Sequence, residues 1–259
     1  MRKKITNQWL IGFIEGDGYL GLERINRKRN NKIDVFYRPI LAITQKSPIV
    51  LYKIKDFIGC GSVTLKGKDK KYYHYRIRSS NLFLKYIYSI FKENNFQTNK
   101  KLQFDILKEA IDFLVNNYEP KNLNHQIYLE KLDKQLREAR FLNYINNNQL
   151  TLDWFFGFFE AEGCLYFNSD INNIKKYKFL FKVTQKNELL LKKIQRFFSY
   201  GYVKKERDLI YCFEITSFYQ IKDKLFPLLE KTEFHTEKNI IRVKWLKAFR
   251  LFIKIKENK

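Results

Sequence analysis

The chain has 259 residues, 45% of them hydrophobic, which suffices to bury a core and excludes a disordered chain. Fifty Lys and Arg against 27 Asp and Glu leave a formal charge of +23. This excess points to a polyanion, and to nucleic acid ahead of an anionic membrane, because each neutralised phosphate releases condensed counterion. No apolar run approaches the ~20 residues needed to span a bilayer. With no secretory signal at the start, a soluble, membrane-free chain is expected. Cys60, Cys164 and Cys212 lie far apart without metal-ligand spacing, which argues for a reducing compartment and against a disulfide framework. Heavy use of Lys, Asn, Ile, Phe and Tyr, with only 10 Gly and 4 Pro, suggests an AT-rich gene.

In chain order, WLIGFIEGDGYL (9–20) reads as a helix that ends near Gly18. The strand YLGLERINR follows, with Leu20 and Leu22 on one face and Gly21, Glu23, Ile25 and Arg27 on the other. A basic turn at NRKRNNK leads to the strand VFYRPILAITQ, where Pro39 marks an edge or a bulge. KSPIVLYKIKDFIG has apolar spacings of three and four, predicting a helix stopped by Gly59. GSVTLKGKDKKYYHYRIRSS alternates as a hairpin, and LFLKYIYSIFKENN is a further helix. Residues 116–148 are Asn-rich at the ends and charged in the middle, as in a tether with a short helix.

The same plan then starts again. WFFGFFEAEGCL (154–165) repeats the opening motif 145 positions later, LAITQK (41–46) recurs as FKVTQK (181–186), and IKDFIGCGSV (54–63) as IQRFFSYGYV (194–203). FQTNKK (96–101) answers FHTEKN (234–239), aligning Thr98 with Thr236 and Lys100 with Lys238. Strands at 165–170 and 178–185, a helix at 189–199 and the strand pair GYVKKE and LIYCFEIT complete the second copy. The chain therefore divides into units at 1–115 and 151–259 around a linker at 116–150, each unit reading helix, two strands, helix, two strands, helix.

Gly12 and Gly16 share one helix face, as do Gly157 and Ala161, and small residues at that spacing let two helix backbones meet closely. If the copies pair, Asp17 and Glu162 arrive together at helix C-termini, where the macrodipole disfavours negative charge. Two such carboxylates repel unless protonated or bridged by a metal, and Mg²⁺ suits one or two carboxylates completed by water and phosphate oxygens. Gly18 and Gly163 are expected to free the backbone to leave the helices. Glu15 and Glu160 fit salt-bridge or capping roles.

These motifs resemble the two signature helices of the LAGLIDADG homing endonucleases in their single-chain, two-motif form. The likeness runs through both helices, both TQK strand ends, the glycine-led hairpins and both Thr-x-Lys segments. It implies an α+β fold of two pseudo-twofold-related αββαββα units, each with a four-stranded antiparallel saddle-shaped sheet, joined at the paired helices. It assigns metal binding (Mg²⁺, or another divalent cation such as Mn²⁺) to Asp17 and Glu162, with Gly16 and Ala161 adjoining them. It also implies active-site roles for Gln45, Gln185, Lys100 and Lys238, ordering water and stabilising the charged transition state. The second motif departs by ending in Glu, which can make the two nicking sites unequal.

Strand parity supports DNA reading separately. With Leu41, Ile43, Val63 and Ile77 toward the core, the opposite face carries Glu23, Arg27, Arg38, Thr44, Ser62, Thr64, Lys66, Arg76 and Arg78. In the second copy the same parity exposes Tyr166, Asn168, Lys182, Thr184, Lys204 and Glu214. A ten-residue strand covers about 30 Å, or roughly nine base pairs, so two units suggest a site of ~18 base pairs that need not be palindromic. The expected function is cleavage of both strands of double-stranded DNA by a monomer whose gene is intron-encoded in an organelle, the mitochondrion by composition and resemblance. The alternative is a maturase that binds intron RNA.

Overall fold

The structure is a computed structural model that describes residues 4–29, 32–67, 71–92, 96–168 and 177–257. By its internal contacts the chain forms two compact units, one made of Met1–Gly16 with Leu150–Lys259 and the other of Asp17–Gln149. This division differs from the expected units in two ways: nearly all of the first motif helix goes with the second copy, and residues 116–149, expected as a linker, go with the rest of the first.

The first copy runs through α1 (Asn7–Asp17), β1 (Gly18–Arg29), β2 (Lys32–Gln45), α2 (Ile49–Ile58), β3 (Ser62–Lys66) and β4 (Tyr72–Ile77). It continues with α3 (Ser80–Leu82), a π-helical segment (Phe83–Ile87), α4 (Tyr88–Lys92) and α5 (Lys100–Asn116), and α6 (Leu123–Ala139) follows. The second copy repeats the series with α7 (Leu152–Glu162), β5 (Gly163–Asn168), β6 (Lys178–Gln185), α8 (Glu188–Phe198), β7 (Tyr202–Arg207) and β8 (Ile210–Ile215). It ends in α9 (Phe218–Gln220), a π-helical segment (Ile221–Leu225), α10 (Phe226–Lys231) and α11 (Lys238–Glu257).

Each copy's strands form one four-stranded antiparallel sheet, ordered β1-β2-β4-β3 and β5-β6-β8-β7. In the unit of residues 17–149, the sheet turns Leu20, Leu22, Leu41, Ile43, Tyr75 and Ile77 inward. They meet Val50, Leu51, Ile54 and Ile58 of α2 and Phe104, Leu107, Ala110 and Ile111 of α5. Fully burying each such side chain contributes roughly 1.5–3 kcal/mol. The other unit fills the corresponding space with rings. Phe159 stacks on Phe181 at 4.2 Å, Phe155 meets Phe198 edge-on at 4.6 Å, and Trp245 stacks on Phe249 at 5.4 Å.

Several sequence expectations change here. Each copy ends in a further long helix, α5 or α11, beyond the order of helix, two strands, helix, two strands, helix expected from the sequence. The predicted helix at 82–95 is a composite, interrupted by five π-helical residues in both copies, and its last three residues lie outside the described ones. Asp170, the last residue of a predicted strand, lies outside them too, as do the hairpin tips at 30–31 and 68–70. The linker carries a 17-residue helix rather than a short one. Asn122 caps it, and Leu129, Leu132, Leu136 and Ala139 are buried on its inner side, where it packs on α5 and β1. Pro39 makes no bulge. It pairs with Leu22, in the part of β2 before its pairing with β4 begins at Leu41, so its missing N–H costs no ladder bond on that side. Gly59 does end α2 in the left-handed region, with φ 84°.

Candidate catalytic centre and nucleic-acid interface

Both motif helices start alike. The hydroxyl of Thr6 accepts the backbone N–H of Trp9, and that of Thr151 accepts the N–H of Trp154, each at 3.1 Å. Within the unit that holds them, α1 and α7 touch backbone to backbone. A Cβ on Gly12 would lie 2.0 Å from the Trp154 carbonyl oxygen, and one on Gly157 would lie 2.0 Å from the Trp9 carbonyl oxygen. A turn further on, a Cβ on Gly16 would sit 2.3 Å from the Ala161 Cβ and 3.1 Å from the Glu162 Cγ. The small-residue stripes are thus the contact itself.

Glu15 and Glu160 lock the pair. The indole N–H of Trp154 donates to Glu15 at 2.6 Å, and that of Trp9 donates to Glu160 at 2.8 Å, so each helix's tryptophan holds the other's carboxylate. The second oxygen of Glu160 accepts the backbone N–H groups of His235 and Thr236 at 2.7 and 2.6 Å. Burial raises the Glu160 pKa, and these donors oppose it by solvating the anion from within.

The last acids of the motifs close the two helices. Asp17 is exposed and accepts a 2.6 Å bond from the side-chain amide of Gln45, at the end of β2. Gln185 holds the matching place at the end of β6, and Glu162 is half-buried. Lys238 opens α11, and its ammonium donates to the carbonyl oxygens of Phe159 and Ala161 at 3.3 and 2.9 Å. A cation on those last-turn carbonyls offsets the negative helix end beside Glu162. Lys100 opens α5 in the same way, and in both segments the Thr hydroxyl accepts the backbone N–H of the Lys. Gly163 is not needed for its freedom, since its φ of −84° suits any residue. It is needed for space: a Cβ there would lie 2.2 Å from the Phe159 ring.

Asp17 and Glu162 each end a motif helix in a carboxylate, the hard oxygen donor that suits a divalent cation such as Mg²⁺, and among the described residues no group of three or more His, Cys, Asp and Glu is placed to hold a metal. Mg²⁺ takes one or two carboxylates and completes its shell with water and phosphate.

The two sheet faces opposite the cores differ. In the first, the register sets Glu23 beside Arg38, Ala42 and Ser62 beside Arg76, and Thr44 and Thr64 beside His74, so the nominated residues share one face. Glu23 accepts from Arg38 at 2.6 Å and from Arg78 at 3.4 Å. Among the described residues Arg76 donates to the Thr64 hydroxyl, at 2.8 Å, and the Nε of Arg76 and that of Arg78 both lack a hydrogen-bond partner, so what separates the two is the Glu23 carboxylate on Arg78. Arg76 and Arg78 are therefore not equivalent. Arg27 lies over the Phe36 ring, and Ser62 and Lys66 are exposed on β3. His74 and Tyr19 belong to this face as well, and the alternation that selects Arg76 selects His74 too. Burial, with Lys66, Arg76 and Arg78 nearby, lowers the His74 pKa and favours the neutral ring.

In the second sheet, register puts Cys164, Tyr166, Asn168, Lys182, Thr184, Lys204, Cys212 and Glu214 on the face away from the core. Glu214, expected to be exposed, is instead only 5% exposed. It accepts from Lys204 at 2.8 Å, from the Tyr202 hydroxyl at 2.9 Å and from the Cys212 thiol at 3.4 Å. Burial pushes its pKa up, but those donors prevail and hold it below the usual carboxylate value. Lys182 is bound too, to Glu206, with Glu214 at 3.6 Å. A carboxylate on a central strand of a lysine-rich face recruits its own neighbours, which parity alone does not reveal.

No helix among the described residues is long and apolar enough to cross a membrane. Comparison with known proteins gives a consistent result. The chain is 31% identical over 166 residues (61% of its length) to "Probable intron-encoded endonuclease Cox1-I1b" of Schizosaccharomyces pombe. It is 26% identical over 258 residues (96%) to "Probable intron-encoded endonuclease 4" of Neurospora crassa. The matches span 41% of the length of each of these relatives. The fold is similar to that of "I-SmaMI bound to uncleaved DNA target in the presence of Calcium ions", with a TM-score of 0.82 at 20% identity, covering 98% of this chain and 93% of that one. The family model described as LAGLIDADG endonuclease matches residues 10–111 and 155–249, one stretch per copy, and on that evidence the chain belongs to the LAGLIDADG endonuclease family.

Proposed function

We propose that the chain is a site-specific homing endonuclease that cuts both strands of a long, non-palindromic DNA duplex as a monomer. The observation that carries this reading is the duplicated helix that packs through Gly12 and Gly157 and ends in a carboxylate, Asp17 or Glu162. The names of the two fungal relatives and the DNA-bound state of I-SmaMI support it. An intron-encoded, organellar gene accords with those names and with the AT-rich composition. The RNA-binding alternative has no observation of its own in its favour.

In this reading Asp17 and Glu162 would each offer a carboxylate to a divalent cation, Mg²⁺ or Mn²⁺, with Gly16 and Ala161 just before them in the chain. A bound cation of this kind supplies Lewis-acid polarisation of a phosphoryl oxygen and a more acidic water. Gln45 keeps the Asp17 carboxylate oriented through its 2.6 Å bond, and Gln185 is assigned the matching task. Lys238 anchors the α7 end through its two carbonyl bonds, and its remaining positive charge favours the extra negative charge of the phosphoryl transition state. Lys100 takes that role in the first copy. The two sheet faces bind the duplex, with Lys and Arg to phosphates and a subset of side chains to base edges.

The test uses Asp17→Asn and Glu162→Gln with a target selected from a random duplex library. Each substitution should abolish double-strand cleavage and leave target binding within a few-fold of wild type. Full cleavage by either variant would sink the assignment. Light scattering of the DNA complex should give one chain per duplex.

A further inference from the structure

We propose that Glu214 reads no base itself and is the positioning carboxylate of the second sheet, holding Lys204 for a base pair and away from the phosphates. The inference rests on the DNA-binding reading above.

One Glu214 oxygen already accepts from Lys204 and Tyr202, and the other faces the Cys212 thiol and the Lys182 ammonium. An ionised carboxylate has about four acceptor sites, and four donors surround this one. Little acceptor capacity is left for the amino group of a cytosine. Lys204 keeps its own: an ammonium has three donors, and Lys204 gives one to Glu214 while its side chain remains 48% exposed, whereas Lys182, 18% exposed, is bonded to Glu206 and supports the carboxylate at 3.6 Å.

Charge points the same way. Lys182 and Lys204 are balanced by Glu206 and Glu214, so the cluster is neutral in a chain of formal charge +23. A patch meant for phosphate has no use for two carboxylates, since each cancels the counterion release that drives such contacts. What a neutral cluster retains is direction. Lysine is a flexible point charge, and fixing its ammonium before binding reduces the freedom lost in the complex. A held ammonium suits the N7 and O6 acceptors of guanine in the major groove. Tyr202 contributes by pinning the carboxylate from the neighbouring strand.

Glu214→Gln keeps shape and removes the charge. Wild type, Glu214→Gln, Lys204→Met and Tyr202→Phe should be compared on all single-base variants of the selected target, at fixed salt and then over a salt series. Wild type should prefer one base pair at one position by about tenfold or more. Glu214→Gln and Lys204→Met should both lose that preference at the same position, and Tyr202→Phe should lose part of it. Glu214→Gln should also bind all sequences as tightly or more tightly, with a log K against log salt slope steeper by about one to two, as freed lysines move to phosphates. Retained preference in Glu214→Gln would overturn the proposal. So would its loss in Glu214→Gln alone, with Lys204→Met unchanged, because Glu214 would then be the reader. If Glu214→Gln unfolds, Lys204→Met and Tyr202→Phe decide by whether they lose preference at a shared position. A wild type that selects no sequence would instead overturn the proposed function.

Discussion

In the first sheet the β4 residue set between Ala42 and Ser62 is Arg76; in the second the β8 residue set between Lys182 and Tyr202 is Glu214. The backbone positions match and the charges are opposite. Arg76 is a cation with an unpaired Nε beside small neighbours, whereas Glu214 is a buried anion ringed by donors. The inward positions of the same strands change much less, with Leu41 and Ile77 matched by Phe181 and Ile215, all buried. Duplication has therefore kept the packing face and rewritten the outward one. An apolar face needs only hydrophobic side chains of suitable volume, while a recognition face needs particular donors and acceptors.

The largest expected effect probes what the copies share. Gly12→Ala and Gly157→Ala should each cost about 3 kcal/mol of stability, because the new methyl meets a carbonyl oxygen that cannot move without its helix. Chemical denaturation measures this, and a clear inequality between the two would show that the helix pair is less symmetric than its contacts. Next comes the contrast itself. Arg78→Ala, whose guanidinium is held by Glu23 as Lys204 is held by Glu214, should lose ~1–3 kcal/mol of discrimination at one base pair, while Arg76→Ala, whose bond is to the Thr64 hydroxyl, should weaken all sequences alike. Competition binding on single-base variants separates the two patterns.

A smaller effect should follow the acid that differs between the motifs. Glu162→Asp should shift the ratio of the two nicking rates toward unity, by a few-fold, on a strand-labelled duplex; an unchanged ratio would free the longer side chain of any part in that asymmetry. The smallest is a pH effect confined to the first sheet. The folded His74 pKa lies below its unfolded value of about 6.5, so the unfolded chain takes the proton first, and stability falls as pH drops through 6.5. Phosphates nearby favour the imidazolium, so DNA binding should tighten as pH falls from 7 to 6, by under about 1.4 kcal/mol. His74→Asn should flatten both responses. The matching residue in the second sheet, Cys212, has its pKa raised to about 11 by burial and Glu214, and adds no response in that range.

Much of this molecule is legible in its sequence, because a repeated motif makes each copy check the other. The helix pair and the strand parities follow from spacing, and the repeat places Gln45 and Gln185 at matching strand ends. The structural roles of Glu15 and Glu160 follow from position, though their tryptophan partners do not, since residues 139 or 151 apart meet only through the fold. The docked α6 was hidden for a different reason. Its polar residues outnumber its apolar ones, and only Leu129, Leu132, Leu136 and Ala139 mark the inner side. The burial of Glu214 is not legible, because alternation gives a side chain's direction and leaves open what covers it.

The crossed Trp–Glu bonds also give the protein an optical handle. Two of the three tryptophans, Trp9 and Trp154, sit in the helix pair with their indole N–H groups on buried carboxylates, and the third, Trp245, is buried against β5 and bonded to the Tyr166 carbonyl. Intrinsic fluorescence therefore reports chiefly on whether the two motif helices are still together, with no label attached. A Trp245→Phe chain would leave emission from the helix pair alone, and its red shift during unfolding would time the separation of the helices directly.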